Sequence, residues 1–182
     1  MDGDKIWVFR SSTERDAEAV SQIYDFARED FRKSGIPQWL DGSPNKDTFL
    51  DDVKNGSSYV IECDGEIAAT AKFILYEPVY DDIFDGEWKS NGYIAVHRVA
   101  VAEKYRRMGL AGKMLGEAER YARSLGREAV RIDTHEKNVK MRSMLEKNGF
   151  LRRGTVYIAD GSPRVAYEKL LASLYSSNPG IS

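Results

Sequence analysis

Hydrophobic residues recur along the chain with two different spacings, one typical of helices and one typical of strands. Helical spacing, with an apolar residue every three or four positions, predicts four helices over residues 13–35, 46–54, 109–125 and 138–148. Shorter apolar runs predict about six to seven strands over residues 6–10, 58–63, 66–75, 93–101, 128–133, 150–158 and 164–171. Strands mixed with helices indicate a mixed central sheet in one α/β (α+β) layer domain.

Turn residues separate these elements. Asp64-Gly65 lies between two predicted strands and suits the positive φ angles of a tight hairpin turn. Asp160-Gly161 separates the last two strands in the same way. Because no repeat and no long linker interrupts the pattern, we expect one domain over residues 1–175 and a flexible tail over residues 176–182.

Composition narrows the range of functions. The 182 residues include 27 basic and 29 acidic side chains, for a net charge of -2, which argues against a general nucleic-acid-binding protein. No apolar run approaches the ~18 residues of a membrane helix, and the first residues are acidic rather than leader-like. Cys63 is the only cysteine, which favours a reducing compartment. We therefore expect a cytoplasmic protein without membrane or nucleic-acid partners, and leave monomer and homodimer open.

The clearest chemical signal lies in the loop that joins the strand over 93–101 to the next helix. Two arginines precede a set of small residues there: Arg106, Arg107, Gly109, Ala111 and Gly112. Small residues let a phosphate approach the backbone amides, and the positive end of the helix dipole favours negative charge. The pattern therefore indicates a pyrophosphate site, although on spacing alone an ordinary helix start is an equal alternative.

The same loop resembles the pyrophosphate loop of the GNAT superfamily of N-acetyltransferases. That loop reads Gln/Arg-x-x-Gly-x-Gly/Ala, and residues 106–111 match each defined position. The following helix, strand and segment from Asn138 to Phe150 match the family's later motif in order and spacing. The resemblance implies a GNAT fold and acetyl transfer from acetyl-CoA to an amine, by direct attack through a tetrahedral intermediate. A GNAT-fold sensor that holds acyl-CoA without turnover is the main alternative.

Carried over by position, the resemblance implies three contacts with the cofactor. The backbone of one strand would pair with the pantetheine arm like an added strand: Val99, Ala100 and Val101. The loop amides would hold the pyrophosphate: Arg106, Arg107, Met108, Gly109, Leu110, Ala111 and Gly112. Asn138 would lie at the cofactor's other flank, although asparagine is also well suited to cap the helix that begins there.

His97 is the candidate general base, because an unperturbed histidine titrates close to working pH. Strand alternation predicts that His97 shares a face with Val99 and Val101, beside the cofactor. A hydrogen-bonded strand histidine without a catalytic role is the alternative. Many relatives carry a tyrosine as general acid where this chain has Leu145. Two tyrosines of the closing strands are weak replacements, and water is the other: Tyr157 and Tyr167.

The acceptor site is expected in the loops before the central strand. Gln38 and Trp39 offer an amide and an indole, and an acidic run that includes Asp81 and Asp82 would suit a cationic amine. A solvated loop without a ligand is the alternative for that run. His135 is a further acceptor-site candidate, because no set of metal ligands accompanies it and we predict no metal. The acceptor's identity and the use of acyl groups longer than acetyl stay open.

Overall fold

The computed structural model describes residues 5–172, so the predicted tail lies outside the described residues. The seven strands are β1 Trp7–Ser11, β2 Ser58–Cys63, β3 Glu66–Ile74, β4 Tyr93–Val101, β5 Ala129–Thr134, β6 Leu151–Tyr157 and β7 Pro163–Leu170. The four helices are α1 Ala17–Lys33, α2 Lys46–Lys54, α3 Leu110–Ser124 and α4 Val139–Lys147. The predicted fold class and the predicted elements are therefore confirmed, with ends that differ by a few residues.

The strands form one mixed sheet in the order β1-β2-β3-β4-β5-β7-β6. Only the β4–β5 pair is parallel. A parallel pair needs a long crossover connection, which α3 supplies, while the hairpins β2–β3 and β6–β7 give antiparallel neighbours on either side.

Helices and loops cover the sheet on both faces. One face packs against the apolar stripe of α3, in which Leu110, Met114, Ala118 and Ala122 recur every four residues and are fully buried. The other face is covered by α1 and α2 and, further along the sheet, by the segment over residues 78–88. The core is thus divided by the sheet into two layers.

The two parallel strands separate partway along their length. Pairing between β4 and β5 ends at Ala95 and Arg131, while the strands themselves continue to Val101 and Thr134. The sheet is therefore open between them. Within residues 5–172, this leaves the β5-facing backbone edge of β4 without a strand partner beyond Ala95.

A bulge interrupts β4 next to this opening. Lys72 of β3 pairs with His97 and Thr70 pairs with Ala100, so that three steps along β4 match two steps along β3. Arg98 has a φ of 56°, in the left-handed region. A bulge of one residue reverses which face later side chains point to.

The bulge corrects the expected placement of His97. Val99 and Val101 pack against the cluster formed with α3, whereas His97 lies on the opposite face, with Tyr80 stacked on its ring. Unbroken alternation, on which the prediction rested, does not hold across Arg98.

Candidate active site

A cavity of about 270 Å³ lies where β4 and β5 separate. Its wall is built by both strands together with the loop after α1, the segment before β4, the start of α4 and the start of β7. The polar part of this wall includes Gln38, Glu77, His97, Asp133, Asn138 and Arg164. Among the sequence predictions, the cavity brings together His97, Val99, Asn138, Gln38 and Trp39.

His97 lies beside a carboxylate that the sequence analysis did not single out. Glu77 Oε2 is 3.1 Å from His97 Nε2, with both side chains about four-fifths buried. The carboxylate lies off the ring N–H direction, so the contact is not a well-aligned hydrogen bond, and it becomes an ion pair only when the imidazole is protonated. The nearby imidazole holds the pKa of Glu77 below its usual 4.5, against the effect of burial. Glu77 is therefore an ionised partner for an imidazolium.

A second buried carboxylate holds the bulge in place. Asp52 of α2 is 3% exposed and accepts from Lys72 at 2.9 Å and from Arg98. Because Lys72 pairs with His97 across the strands, this cluster fixes the backbone on both sides of the histidine. Arg98 also lines the cavity, so the Asp52–Arg98 ion pair lies at the wall next to His97.

The predicted pyrophosphate loop has the geometry of an anion site. Arg107 and Gly109 both have positive φ angles, of 65° and 76°, which turn the chain sharply into α3. None of the backbone N–H groups from Arg107 to Gly112 donates to a backbone carbonyl within residues 5–172. These unpaired donors converge at the positive end of the α3 dipole. Binding of a phosphate there stays a prediction.

Individual loop side chains have other roles. Arg106 donates to Asp30 of α1 at 3.0 Å and lies over the ring of Phe26, so its side chain ties the loop to α1. A Cβ at Gly112 would lie 3.1 Å from Asn148 Oδ1, so this glycine also allows α3 to pack closely against the end of α4. The backbone rather than these side chains therefore presents the loop's binding groups.

Asn138 caps α4. Its Oδ1 accepts from the backbone N–H of Met141 at 3.2 Å, which confirms the capping interpretation. The residue is 6% exposed and also lines the cavity, so the cap places its side-chain amide in the wall. Contact with a cofactor stays a prediction.

The tyrosines proposed as general acids lie away from the cavity, which corrects that expectation. The Tyr167 hydroxyl donates to Glu146 at 3.0 Å and accepts from Arg142, on the side of the sheet that faces α4. Tyr157 is 47% exposed and packs edge-on against Phe84. Leu145 is fully buried in the core. Neither Tyr157 nor Tyr167 lines the cavity.

The predicted acceptor loop reaches the cavity wall. Trp39 adopts a φ of 63° and packs edge-on against Tyr24 and Phe31. Gln38 Oε1 accepts from the backbone N–H of His135 at 3.4 Å. Both Gln38 and Trp39 line the cavity.

His135 does not line the cavity but contacts a residue of its wall, because its backbone N–H donates to Gln38. Its Nδ1 accepts from the backbone N–H of Lys137 at 3.1 Å, and burial lowers its pKa, with the charge of Arg164 adding to the effect. The lowered pKa favours the neutral imidazole of His135, next to Gln38. Within residues 5–172 no group of three or more candidate ligands could hold a metal ion.

The acidic run contributes less than expected. Asp81 and Asp82 are exposed and lie outside the cavity wall, and the Asp81 carboxylate accepts from the Tyr76 hydroxyl. Within this run it is Glu77 that lines the cavity, because the backbone before β4 turns it towards His97. No pattern in the sequence distinguishes Glu77 from its acidic neighbours.

A mixed sheet that is open between its two parallel strands, with unpaired backbone amides where α3 begins after β4, matches the acyltransferase fold expected from the sequence motifs. The family model described as acetyltransferase (GNAT) family matches residues 20–150. The chain therefore belongs to the GNAT acetyltransferase family, and it is an enzyme of that class.

One solved structure shows the same relationship, and two more distant ones share the fold. A GNAT-family acetyltransferase from Streptococcus agalactiae is 33% identical, with a TM-score of 0.82 over 92% of this chain and 96% of that chain. The PaiA N-acetyltransferase of Thermoplasma acidophilum, in complex with coenzyme A, is 15% identical with a TM-score of 0.67 over 91% and 99%. The protein yncA of Salmonella typhimurium, with acetyl-CoA, is 18% identical with a TM-score of 0.66 over 95% and 98%.

No curated protein matches the sequence significantly. Among the helices of residues 5–172, none is long and apolar enough to cross a membrane.

Proposed function

We propose that this protein transfers an acetyl group from acetyl-CoA to an amine of a small acceptor, with His97 as the general base. The observation that carries the proposal is the cavity wall that contains both the His97–Glu77 pair and part of the open edge of β4. The loop with the unpaired amides follows β4 in the chain. Membership of the family and the coenzyme A complexes of structural neighbours support the choice of donor.

Acetyl-CoA would bind along the separated strands. The amides from Arg107 to Gly112 hold the pyrophosphate, and the free edge of β4 over Val99–Val101 pairs with the amide groups of pantetheine. Asn138 borders the same path. The thioester then lies in the cavity, where a β4 backbone N–H can stabilise the oxyanion.

The reaction removes two protons from the acceptor ammonium group and supplies one proton to the departing thiolate. His97 takes a proton from the acceptor ammonium, directly or through one water, and the free amine attacks the thioester carbon. With Nε2 facing Glu77, the nitrogen that accepts the proton is Nδ1, and ionised Glu77 stabilises the imidazolium. The C–N bond forms, the C–S bond breaks as the tetrahedral intermediate collapses, and the second ammonium proton is released.

Water protonates the departing thiolate. Tyr157 and Tyr167 lie outside the cavity, and Leu145 is buried where relatives carry the tyrosine. A thiol with an unperturbed pKa near ~8.5 is a good leaving group, so a dedicated acid adds little. The same buried Leu145 favours the second candidate, a sensor that binds acyl-CoA without turnover.

We also propose a cytoplasmic location, because Cys63 is a buried free thiol. The mechanism requires neither a metal nor a nucleic-acid partner.

The first test concerns the cofactor loop. Ala111→Glu places a carboxylate in the first turn of α3, where it suits the helix dipole but repels a pyrophosphate. We expect affinity for acetyl-CoA to fall at least about 10-fold while the melting temperature is unchanged or slightly higher. Titration calorimetry and thermal unfolding measure the two effects. Asn91→Glu, in the exposed loop before β4, is the charge-matched control.

A turnover assay distinguishes the acetyltransferase hypothesis from the acyl-CoA sensor hypothesis. The wild-type protein should release coenzyme A from acetyl-CoA in the presence of an amine panel and form the acetylated amine. Tight binding without turnover of any amine would favour the sensor, and unchanged affinity in a folded Ala111→Glu variant would remove the loop from the proposal.

A further inference from the structure

Arg164 is a buried cation in the cavity wall. It is 6% exposed, and within residues 5–172 its guanidinium forms no ion pair with a carboxylate. Its one described hydrogen bond runs from Nη1 to the backbone carbonyl of the adjacent Pro163, at 3.0 Å. By contrast, the similarly buried Arg131 pairs with Glu168 at 3.2 Å.

The guanidinium of Arg164 has free N–H groups at the cavity. Arginine keeps its charge in a protein, and free guanidinium N–H groups form charge-assisted hydrogen bonds with an anion. Arg164 lines the cavity, and its remaining N–H groups have no protein acceptor among the described residues and are not sealed from solvent. The arrangement suits an anion that arrives from solution.

The strands place Arg164 on the same face of the sheet as the base. Arg164 and Ala166 are two residues apart on β7, and Ala166 pairs with Asp133 of β5. Asp133 accepts from the hydroxyl of Tyr80, whose ring stacks on His97. His97, Asp133 and Arg164 therefore come from three neighbouring strands, β4, β5 and β7, and line one cavity.

We infer that Arg164 binds a carboxylate of the acceptor, so that the acceptor is an amine of the amino-acid class. The inference rests on the proposed function and narrows its substrate. The flat fork of one guanidinium matches a planar, singly charged carboxylate, whereas a phosphate dianion would call for a second free cation. Arg98, the other arginine of the wall, is already paired with Asp52.

The rest of the wall suits the other parts of such a molecule. Glu77 and Asp133 are acidic groups that attract an ammonium group on the side of the cavity near His97. Apolar side chains of Phe31, Trp39 and Ile158 complete the wall and can contact an apolar substituent. Because His97 and Arg164 line the same cavity of about 270 Å³, a molecule that fills this cavity can contact both groups.

Matched pairs of acceptors test the inference. Each pair consists of an amino acid and the amine that lacks only its carboxylate, such as phenylalanine with phenethylamine, tryptophan with tryptamine and histidine with histamine. Coenzyme A release is measured for wild type, Arg164→Gln, Arg164→Lys and the exposed control Arg152→Gln. Thermal unfolding shows whether each variant is folded, and titration with acetyl-CoA shows whether it still binds the cofactor.

We expect wild type and Arg152→Gln to prefer the carboxylate-bearing member of a pair. Arg164→Gln should lower kcat/KM for that member about 10- to 100-fold, as expected for loss of a charge-assisted hydrogen bond, and leave the decarboxylated amine nearly unchanged. The kcat/KM of Arg164→Lys for the carboxylate-bearing member should lie between those of wild type and Arg164→Gln, because lysine keeps the charge without the two parallel N–H donors of a guanidinium.

Other results overturn the inference in distinguishable ways. Equal or better turnover of the decarboxylated amines refutes carboxylate recognition and leaves the acetyltransferase proposal intact. A preference for the carboxylate that survives Arg164→Gln refutes the assignment to Arg164. A protein that binds acetyl-CoA but turns over no amine refutes the proposed function and this inference with it.

Discussion

At the scale of single residues, the fold gives His97 a charged partner rather than an isolated place in a strand. Glu77 lies 3.1 Å from Nε2, and its pKa is held below 4.5 by the imidazole. A depressed carboxyl pKa means that this pair stabilises the fold above about pH 4.5 and stops doing so as the pH falls through the folded-state pKa. Over the range in which histidines titrate, Glu77 is therefore a constant negative charge.

His97→Gln should lower kcat about 10²- to 10⁴-fold, the usual cost of losing a general base, with little change in acetyl-CoA affinity. Steady-state kinetics and calorimetry measure the two quantities. Wild-type kcat in the His97→Gln enzyme between pH 6 and 9 would exclude the base assignment.

Glu77→Gln should lower kcat less than His97→Gln and should move the acidic limb of the pH–rate profile to lower pH. The direction follows because loss of the anion disfavours the imidazolium, so the base stays unprotonated in more acidic solution. Asp82→Asn is the control in the same segment, because its exposed carboxylate lies outside the cavity wall. A profile that shifts equally in both variants would point to general surface charge instead of the His97–Glu77 pair.

At the scale of secondary-structure elements, the bulge in β4 is the feature that builds the site. The bulge reverses the face to which the β4 side chains after it point. Asp52 of α2 stabilises the bulge by binding Lys72 of β3 and Arg98 of β4. The left-handed φ of Arg98 is unfavourable for a residue with a Cβ, so this conformation depends on the surrounding contacts. Helix α2 thus acts on the site without lining it.

Asp52→Asn should destabilise the protein by about 3 kcal/mol, at the low end of the range for breaking a buried ion pair, because Lys72 and Arg98 keep partial solvent access. It should also lower kcat, since the His97 backbone loses its support. Denaturant unfolding and kinetics measure these effects. Asp51→Asn, on the exposed side of the same helix, should leave both unchanged. Equal stability of the two variants would show that the bulge does not need Asp52.

At the scale of the whole molecule, the opening between β4 and β5 divides the sheet into two parts that meet only through a short parallel pairing. Four strands lie on the β1 side of the opening and three on the β6 side. A ligand that pairs with β4 and contacts α3 and α4 would join the two parts. Ligand binding and global stability should therefore be linked.

Acetyl-CoA at 100 times its Kd should stabilise the protein by about 2.7 kcal/mol, which raises the melting temperature of a chain of this size by about 5–10 °C. Thermal unfolding at a series of ligand concentrations measures the shift. Pantetheine alone should give a much smaller shift, because it lacks the pyrophosphate that the loop amides would bind. A similar rise in melting temperature with pantetheine would show that contacts with β4, rather than with the loop amides, provide most of the binding free energy.

The amino-acid sequence by itself determined the elements and the fold class, and it supplied the prediction of a pyrophosphate loop, because each depends on local spacing. Alternation of apolar residues fixes strands and helices, and residues 106–111 form one contiguous motif. The same kind of local signal identified the cap at Asn138, since capping involves neighbours three residues apart.

Only the tertiary structure decided which side chains meet in the cavity. One extra residue in β4 places His97 on the face opposite to Val99 and Val101. A bulge of this kind cannot be recognised in the hydrophobic pattern. Glu77 and Arg164 reach the wall from segments far apart in sequence, whereas Tyr167 is turned away towards α4 by its bonds to Glu146 and Arg142. Such contacts depend on strand order and register, which arise from packing across the whole chain and not from local spacing.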